Sequence, residues 1–402
     1  MILWLLLLST ITGCKETEIY SAQSQQTPSQ QQTKTSHPPT LDDLWQGAAT
    51  FMMDIEDTGL PMGESDTHLI VNDTMRSYVH ASHQSAGILD HCGTPVPFPG
   101  CVIIYESQDE GRSFQLMNRH EQTQMCLMVC TKCPCESKRD HIDQQQYPQI
   151  VRYRDINNPN TDVWVMVYEY RASVFLRRST DGLHWTEPEQ LPLTGIWQRW
   201  LMNCPASAAI ESHPHTPDFY DCLVGSPPGL FVQEAGNATQ PELFVFVGLG
   251  QNPGAMGCYR GPLTGPASFY RQCTHNPLIV GSDTYGPTEQ TGAGTNAYFD
   301  FRTVSSADLL QVGDRFYMLY EGVRGPEPGA AGDTQFGLGL ARSKTNQIDG
   351  FWEKYSGNPI MVDLPANVGL GHADLIHIRN ETFLYTSIDG KRRSRFKLVW
   401  QN

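Results

Sequence analysis

The chain has 402 residues, of which 43 are acidic and 28 are basic, and its formal net charge at pH 7 is −15. This excess of negative charge argues against nucleic acid and against anionic lipid surfaces as partners, because neither would attract the chain. Its 35 glycines and 27 prolines are typical of a fold with many turns, and no amphipathic helical stretch exceeds about three turns. We therefore predict a mostly β protein.

The N-terminal 40 residues do not have the composition of a folded domain. The apolar run at 2–11 is too short to span a membrane and ends at the sequence ITGC, which resembles the lipobox of bacterial lipoproteins. That resemblance implies lipidation of Cys14; an ordinary secretory signal peptide with a chance cysteine is the alternative. Residues 15–40 are rich in Gln, Ser, Thr and Pro, which predicts a flexible linker. We thus expect a lipoprotein signal peptide at 1–14, the linker, one folded domain at 41–402, and anchoring to an outer membrane or cell surface.

Both ends of the predicted domain carry local signals. The sequence TLDD at 40–43 predicts a capping box for a short helix over Leu44 and Trp45. At the other end, five basic residues lie within the sequence KRRSRFK at 391–397. We predict a hairpin turn and a charged edge strand there, because charge protects exposed strand edges from pairing.

A repeated segment decides the architecture. The sequence SADLLQV at 306–312 returns as HADLIHI at 372–378. Each copy is followed by a polar turn and a second apolar run, which predicts the same β-hairpin twice. Three weaker echoes precede them, and the five units begin at residues 67, 147, 226, 306 and 372. Five units of this length, each with about two to four strands, predict an all-β fold, a five-bladed β-propeller.

Ten cysteines remain when Cys14 is set aside. An even number in an exported chain favours disulfides. Three pairs of neighbours are each spaced to close a local loop: Cys92 and Cys101, Cys204 and Cys222, and Cys258 and Cys273. The remaining four, within 126–135, form two more disulfides or, as the alternative, a zinc site.

Two segments, SQDEGRSF at 107–114 and STDGLHW at 179–185, match the Asp-box pattern, the second with one residue fewer. We expect Asp109 and Asp181 to accept hydrogen bonds from turn amides and the glycine to adopt a positive φ. The aromatic residue at the end would pack the turn onto its blade. Such boxes indicate the fold and carry no catalytic role.

With the Asp boxes, the segment 341–360 and its echo at 265–279 resemble the five-bladed glycosidase superfamily of arabinanases, β-xylosidases, invertases and levansucrases. The sequence GLGHAD at 369–374 is similar to the fifth-blade motif of glycoside hydrolase family 43. That resemblance implies that His372 faces the central channel and meets one metal ion, calcium or sodium, or its water. It also implies carbohydrate as the partner and glycoside hydrolysis as the activity.

The acids of that family do not all have counterparts in this sequence. The resemblance implies an Asp at the start of blade 1, an Asp-Pro in blade 2 and a Glu in blade 3. Only blade 1 has a nearby acid, Asp66, whereas blade 2 presents Tyr147-Pro148 and blade 3 presents Ser226-Pro227. Because glycoside hydrolysis normally needs two carboxyls, the site is either rearranged or not hydrolytic.

The repeat supplies other acids near the channel. Asp308 and Asp374 occupy equivalent positions and could converge at the channel mouth; alternatively, each accepts hydrogen bonds from backbone amides at its strand start. Glu321 and Arg324 follow the second strand of their blade and lie either on the same rim or in a solvated loop. Glu169 occupies the matching position of blade 2.

Histidines and tryptophans provide further candidates. His68, His80 and His83 lie along one hairpin, either as a metal site or as separate surface or packing residues. Trp197 and Trp200 either stack on sugar rings or fill the gap between blades. The candidates we select are, for catalysis, Asp308, Asp374, Asp66 and Glu321, and, for substrate binding, His68, Tyr147, Arg324 and Trp200.

Together these observations predict a surface-anchored, carbohydrate-active propeller: a glycoside hydrolase or a close relative that acts on an oligo- or polysaccharide at the channel mouth. The alternative is a non-catalytic glycan-binding or adhesion propeller, which the missing acids of blades 2 and 3 favour. We expect a monomer that contacts the membrane only through its lipid anchor, and no cofactor beyond one channel metal ion near His372.

Overall fold

The computed structural model describes part of the chain in detail. The described residues are 37–61, 65–81, 101–117, 146–154, 162–170, 173–192, 223–224, 228–234, 240–250, 255–281, 299–300, 303–323, 336–362, 372–387 and 392–401. From Pro38 onward the chain forms one compact unit. The predicted signal peptide with Cys14, the linker up to residue 36, Trp200 and Arg324 lie outside the described residues and stay predictions. Within the described ranges, no helix is long and apolar enough to cross a membrane.

The described residues form one short α-helix, α1 (Leu41–Trp45), a 3-10 turn at Ala267–Phe269, and 23 strands that group into five blades. The strands of blade 1 are β2 (Asp66–Val71), β3 (Thr74–Ala81), β4 (Cys101–Ser107) and β5 (Gln115–Leu116). The strands of blade 2 are β6 (Gln146–Arg154), β7 (Asp162–Tyr170), β8 (Ser173–Ser179) and β9 (Glu189–Gln190). The strands of blade 3 are β10 (Leu223–Val224), β11 (Gly229–Gln233), β12 (Glu242–Gly250), β13 (Ala255–Pro262), β14 (Arg271–Gln272) and β15 (Ile279–Val280). The strands of blade 4 are β16 (Thr303–Val312), β17 (Arg315–Val323), β18 (Phe336–Ser343), β19 (Trp352–Lys354) and β20 (Met361–Val362). The strands of blade 5 are β1 (Ala49–Ile55), β21 (Asp374–Ile378), β22 (Glu381–Ser387) and β23 (Arg393–Trp400).

The strand order confirms the predicted all-β, five-bladed propeller. Blades 1 and 2 are four-stranded antiparallel sheets, and blades 3 and 4 are joined because β12 also pairs with β16. Blade 5 has the order β1-β23-β22-β21, with β1 antiparallel to β23. The first strand of the domain therefore completes the last blade.

The prediction of a charged edge strand at 391–397 is wrong. β23 lies between β1 and β22, so both of its edges are paired. Arg393 and Arg395 are each 1% exposed. Arg395 donates to the Asp54 carboxylate from Nε at 2.9 Å. Arg393 and Arg395 of this strand thus pair through buried guanidinium groups, whereas Lys397 and its partner Glu381 are partly exposed.

The predicted helix cap is confirmed. The backbone N–H of Thr40 donates to Asp43 Oδ2 at 2.7 Å, and the Thr40 hydroxyl donates to the same oxygen at 2.8 Å. Leu41 and Leu44 of α1 are buried. The cap supplies hydrogen bonds that a helix of five residues cannot make internally.

Apolar side chains fill the five junctions between neighbouring blades. Separate clusters join blades 1 and 2, 2 and 3, 3 and 4, 4 and 5, and 5 and 1. The last of these packs Val79 of β3 and Phe383 of β22 into one group. Burying one such side chain contributes roughly 1.5–3 kcal/mol. Because the fifth junction returns to blade 1, the ring of blades is closed.

The Asp boxes have the predicted structural role. Asp109 Oδ1 accepts hydrogen bonds from two of the following amides at 3.1 and 2.9 Å. Asp181 Oδ1 accepts two in the same way, each at 2.8 Å. Gly111 and Gly182 have φ values of 79° and 72°, which a residue with a side chain adopts only at a cost. The aromatic residue that ends each box is buried.

The similar segments at 265–279 in blade 3 and 341–360 in blade 4 each contain an asparagine with the same structural role. The Asn276 side chain accepts from the backbone N–H of Cys258 and donates to its carbonyl oxygen, both at 2.8 Å. Asn358 makes the same two bonds with Leu340, at 2.8 and 3.0 Å. In both blades one side-chain amide satisfies the backbone of the third strand.

One of the three predicted local disulfides is confirmed. Cys258 on β13 is bonded to Cys273, and their Cα atoms are 5.4 Å apart. The other predicted pairs, and the cluster at 126–135, involve side chains outside the described residues. Those pairings stay predictions.

Replacing Asn358, which is 2% exposed, with Ala should leave the N–H and the carbonyl of Leu340 without these partners. Each unsatisfied buried backbone group costs roughly 1–3 kcal/mol, so we expect the free energy of unfolding in urea to fall by about 2–4 kcal/mol. Gln115→Ala at an exposed position is the control, with an expected change below about 0.5 kcal/mol. Equal stability of the two variants would contradict the role assigned to Asn358.

Candidate functional site

The inner strands of blades 2, 4 and 5 start in the same way. Tyr147, Ser306 and His372 have positive φ values of 50°, 53° and 44°, and β6 and β16 are bulged at this point. A left-handed conformation costs a residue with a side chain roughly 1–2 kcal/mol. Such strain is typical of positions where a side chain is held for a function.

Tyr147 and His372 meet across the central channel. Their rings pack edge to face with centroids 4.6 Å apart, although blade 1 separates blade 2 from blade 5. A contact between non-adjacent blades has to cross the space that the inner strands surround. These two rings therefore narrow the channel where the inner strands begin, which we call the mouth.

Four side chains from four blades form a continuous group, which we call the mouth cluster: His80, Tyr147, Glu321 and His372. The ring of His80 lies 5.4 Å from that of Tyr147. Nδ1 of His372 lies 2.8 Å from Glu321 Oε2, although the two atoms are not aligned for a hydrogen bond. His80 and Glu321 are 0% and 2% exposed. The cluster thus combines aromatic and imidazole rings with a buried carboxyl.

The predicted equivalence of Glu169 and Glu321 is confirmed by strand register. Glu169 pairs with Gln146 and Glu321 pairs with Ser305, each of which is the last residue before the bulge. Glu169 is 3% exposed. The second strands of blades 2 and 4 therefore each place one buried carboxyl beside the mouth.

A second polar group lies buried between blades 5 and 1, and we call it the junction cluster: Asp66, His68, Asp374 and Arg393. Nε of Arg393 donates to Asp66 Oδ2 at 3.0 Å, and Nη2 donates to the other carboxylate oxygen. His68 Nδ1 lies 2.8 Å from Asp374 Oδ2, and its Nε2 lies 3.7 Å from Asp66 Oδ2. The ring of His68 stacks on Tyr385 at 3.8 Å. One imidazole therefore separates two carboxyls.

Asp308 and Asp374 both bond to the backbone of the next blade. Asp308 Oδ2 accepts a hydrogen bond from the N–H of Leu375, and Asp374 Oδ2 accepts one from the N–H of His68 at 2.9 Å. The alternative drawn from the repeated Ala-Asp-Leu sequence, in which each Asp bonds backbone amides, therefore matches their contacts. Their catalytic assignment stays a prediction.

Burial governs the protonation of this region. Burial lowers the pKa of His68 to about 4, an effect that the negative charge of Asp66 only partly offsets. Burial, and then the charge of Asp374, raises the pKa of Asp308 well above its usual value. Burial, and then the charge of Asp66, raises the pKa of Asp374 in the same direction. Each of these shifts disfavours the charged form, as expected for groups removed from water.

The structure divides the predicted site residues between the two clusters. Tyr147, Glu321 and His372 belong to the mouth cluster, while Asp66, His68 and Asp374 belong to the junction cluster. The predicted edge strand at 391–397 does not anticipate that Arg393 pairs with Asp66. The alternation of basic residues at 393, 395 and 397 was a usable signal, because alternate residues of a strand share one face.

The described residues do not by themselves form a metal site. Calcium takes six to eight oxygen ligands, whereas His372 has one carboxylate contact, from Glu321. In the parts of the chain that the structure describes, no group of three or more His, Cys, Asp or Glu side chains is arranged to hold a metal. The predicted metal near His372 stays a prediction.

The strand order and the mouth define a five-bladed propeller, and comparison with known proteins supports that class. No protein-family model and no curated protein matches the chain. It is similar to BT0996, solved as an RGII complex, at 11% identity and a TM-score of 0.50 over 90% of this chain and 94% of that one.

Two further similarities are weaker. An endo-1,4-β-xylanase from Bacteroides thetaiotaomicron has 12% identity and a TM-score of 0.45 over 87% of this chain and 97% of that one. An α-L-arabinanase from Cellvibrio cellulosa, complexed with arabinohexaose, has 13% identity and a TM-score of 0.45 over 86% and 94%. The similarity to BT0996, with its TM-score of 0.50, concerns the fold alone.

Replacing Arg393 with Met should leave the buried carboxylate of Asp66 without its cation. Removing one partner of a buried ion pair typically costs about 3–5 kcal/mol, and we expect a loss of that size in the free energy of unfolding. Arg392→Met is the matched control, since Arg392 and its partner Glu56 have side chains that are 41% and 63% exposed. The control should lose less than about 1 kcal/mol, and similar losses in both variants would disprove the role of Arg393.

The raised pKa of Asp308 predicts a pH dependence of stability. The native state holds this proton more tightly than the unfolded chain, whose Asp pKa is about 3.9. The stability that protonation provides is therefore complete below that value and is lost as pH rises through the folded-state pKa. The difference in unfolding free energy between the wild type and Asp308→Asn, measured in urea, should fall as pH rises above about 4. Exposed Asp73→Asn controls for the loss of one charge, and a difference that rises with pH would contradict the assignment.

Proposed function

We propose that this chain is a carbohydrate-active propeller whose substrate binds at the mouth cluster, and that it acts as a glycoside hydrolase. The observation that carries the proposal is the cluster itself, in which His80, Tyr147, Glu321 and His372 converge from four blades. Rings that can stack on sugar faces stand beside a carboxyl and imidazoles that can bond hydroxyl groups.

Two carboxyls take the chemical roles in this proposal. Glu321 donates a proton to the oxygen of the departing sugar, and Asp66 accepts the proton of the attacking water. Asp66 lies in the junction cluster, where Arg393 binds both of its oxygens, so it takes the second role only when this ion pair opens toward the mouth. Asp308 and Asp374 instead hold the inner strands together, because their oxygens bond the amides of the next blade. The bond between the sugar and its leaving group breaks as the water oxygen bonds to the sugar carbon.

Access to Glu321 depends on the rings around it. Glu321 is 2% exposed, and its neighbour His372 has a side chain that is 16% exposed. A substrate that enters from the mouth would have to displace the ring of His372 or Tyr147 to reach the carboxyl. In this proposal the two rings exclude water until a sugar replaces them.

A specific observation favours a second function, a propeller that binds glycan without cleaving it. Asp66, Asp308 and Asp374 each have a protein partner for their carboxylate. Blade 2 presents Tyr147 where the resemblance implies an acid. A site with this arrangement would retain stacking and hydrogen bonding to a sugar while lacking the second carboxyl that hydrolysis requires.

The predicted anchor belongs to the same proposal. A lipid on Cys14 and a linker at 15–40 would hold the propeller at the surface of the cell, where polysaccharides are within reach. The support is the sequence itself: an apolar run that ends at ITGC, followed by a segment rich in Gln, Ser, Thr and Pro.

Glu321→Gln and Asp66→Asn should each lower the turnover of a cleaved substrate by at least about 10²-fold, the low end for loss of acid or base catalysis. Release of reducing sugar from arabinan, xylan and levan is the measurement. Asp308→Asn and Asp374→Asn test the competing catalytic assignment. All four variants are compared at temperatures where each remains folded, because Asp66→Asn also removes the charge that pairs with Arg393. Activity that survives Glu321→Gln and Asp66→Asn would overturn the catalytic roles of these two acids. Binding of these glycans without cleavage would favour the second function.

A further inference from the structure

A cavity of about 370 Å³ lies between blades 3 and 4. Its volume is within the range of roughly 300–1,000 Å³ that is usual for ligand pockets. Most of the side chains around it are polar, and they come from both blades. The lining residues that bear on its chemistry are Gln233, Phe244, Arg260, His275, Gln347 and Asp349.

The cavity lies on the face opposite the mouth, and we call it the far-face cleft. Gln233 is the last residue of β11, an inner strand, and inner strands run away from the mouth. Gln347 and Asp349 belong to the turn at 344–350, which follows β18. Blade 4 alternates direction from β16 through β17 to β18, so this turn also lies at the end remote from the mouth. The cleft therefore shares no residue with the mouth cluster.

This junction is closed differently from two others. Between blades 5 and 1, the Tyr385 hydroxyl donates to the carbonyl of Gly111 in the Asp-box turn at 2.9 Å. Between blades 1 and 2, the Tyr78 hydroxyl donates to Gly182 in the same way at 3.0 Å. At the cleft, Phe244 has no hydroxyl that could reach the turn at 344–350.

The walls of the cleft are held in place. Asp349 accepts hydrogen bonds from the backbone N–H groups of Thr274 and His275, at 2.9 and 3.0 Å. These two bonds tie the loop of blade 3 to the turn of blade 4. A site with fixed walls loses little entropy on binding, which favours a specific ligand.

Arg260 retains donors for a ligand. Its guanidinium lies 3.6 Å from Glu242 and 3.5 Å from Asp349, which is longer than usual charge-assisted hydrogen bonds. Among the described residues, Nε of Arg260 has no hydrogen-bond partner, but this atom is buried. The side chain as a whole is 26% exposed, so the donors that a ligand can reach are on Nη1 and Nη2. Two carboxylates surround this one cation, so the cleft does not attract anions. The donors therefore suit a neutral ligand with hydroxyl groups.

An aromatic ring stands beside the cleft. Phe351 is 63% exposed and packs edge to face against His275, with ring centroids 4.9 Å apart. An exposed aromatic face beside amides, an imidazole and a guanidinium offers stacking and hydrogen bonding together. Water and small alcohols could bind only the polar groups. A sugar ring could bind the polar groups and also stack on the aromatic ring.

We infer that the far-face cleft is a second carbohydrate site, which binds a neutral sugar with one face on Phe351 and its hydroxyls on Arg260, Gln233 and Gln347. The inference rests on the proposed function only for the choice of carbohydrate as the ligand class. The proposed role of the cleft is binding, without a catalysed reaction. With the mouth on the other face, the propeller would hold a polysaccharide at two separate places.

The test is titration calorimetry of the full chain with xylotriose, cellotriose and arabinohexaose. Phe351→Ala and Arg260→Ala should each weaken one class of site by about 10-fold or more, which corresponds to about 1.4 kcal/mol. Phe269→Ala is the matched control, because Phe269 is 65% exposed and lies outside the cleft. Tyr147→Ala, in the mouth cluster, should weaken only the other class. Phe351 is on the surface, so its variant remains informative if Arg260→Ala does not fold.

Each outcome decides a separate point. Binding that Phe351→Ala weakens and Tyr147→Ala leaves intact supports the second site. Binding that responds only to Tyr147→Ala overturns the second site and leaves the proposed function standing. Equal effects of Phe351→Ala and Phe269→Ala also overturn it. If the wild type binds none of the three sugars, both the second site and the proposed function fail for neutral sugars.

Discussion

Closure of the ring between blades 5 and 1 is the constraint on which the other features depend. A single blade cannot bury its own apolar faces, so each is stable only between two neighbours. The first strand of the domain, β1, pairs with β23 and completes blade 5. Across the same junction, Arg393 of blade 5 binds Asp66 of blade 1. Backbone pairing and a buried ion pair therefore fix the ends of the chain together.

The closing junction also supports the candidate site. His68 lies between the carboxyls of Asp66 and Asp374, and Asp374 is two residues from His372 at the mouth. Burying this many ionisable groups is costly unless each is paired. The paired side chains of the junction cluster therefore connect the mouth to the closed ring of blades. A substitution of Arg393 would alter Asp66 directly, because the two side chains are in contact. Stability and the proposed chemistry share residues here.

The two faces of the propeller have different local structure. At the mouth, inner strands begin with strained residues such as Tyr147 and His372, whose rings meet across the channel. At the far face, the turns are held by Asp109 and Asp181 through backbone hydrogen bonds. At the mouth, side chains from several blades therefore converge on the central channel. At the far face the turns of the blades remain separate, and the cleft lies between a loop of blade 3 and a turn of blade 4.

The sequence by itself determined the features that depend on neighbouring residues. The repeat of Ala-Asp-Leu, the Asp boxes and the cap at Thr40 are read from short spacings, because strand alternation and turn hydrogen bonds involve residues close in the chain. It also placed Glu169 and Glu321 in equivalent positions. Only the tertiary structure decided what those residues contact. Arg393 reaches Asp66 from 327 residues away in sequence, and Tyr147 meets His372 across the channel. No local pattern encodes such contacts, because they arise when the blades close into a ring and bring distant segments together.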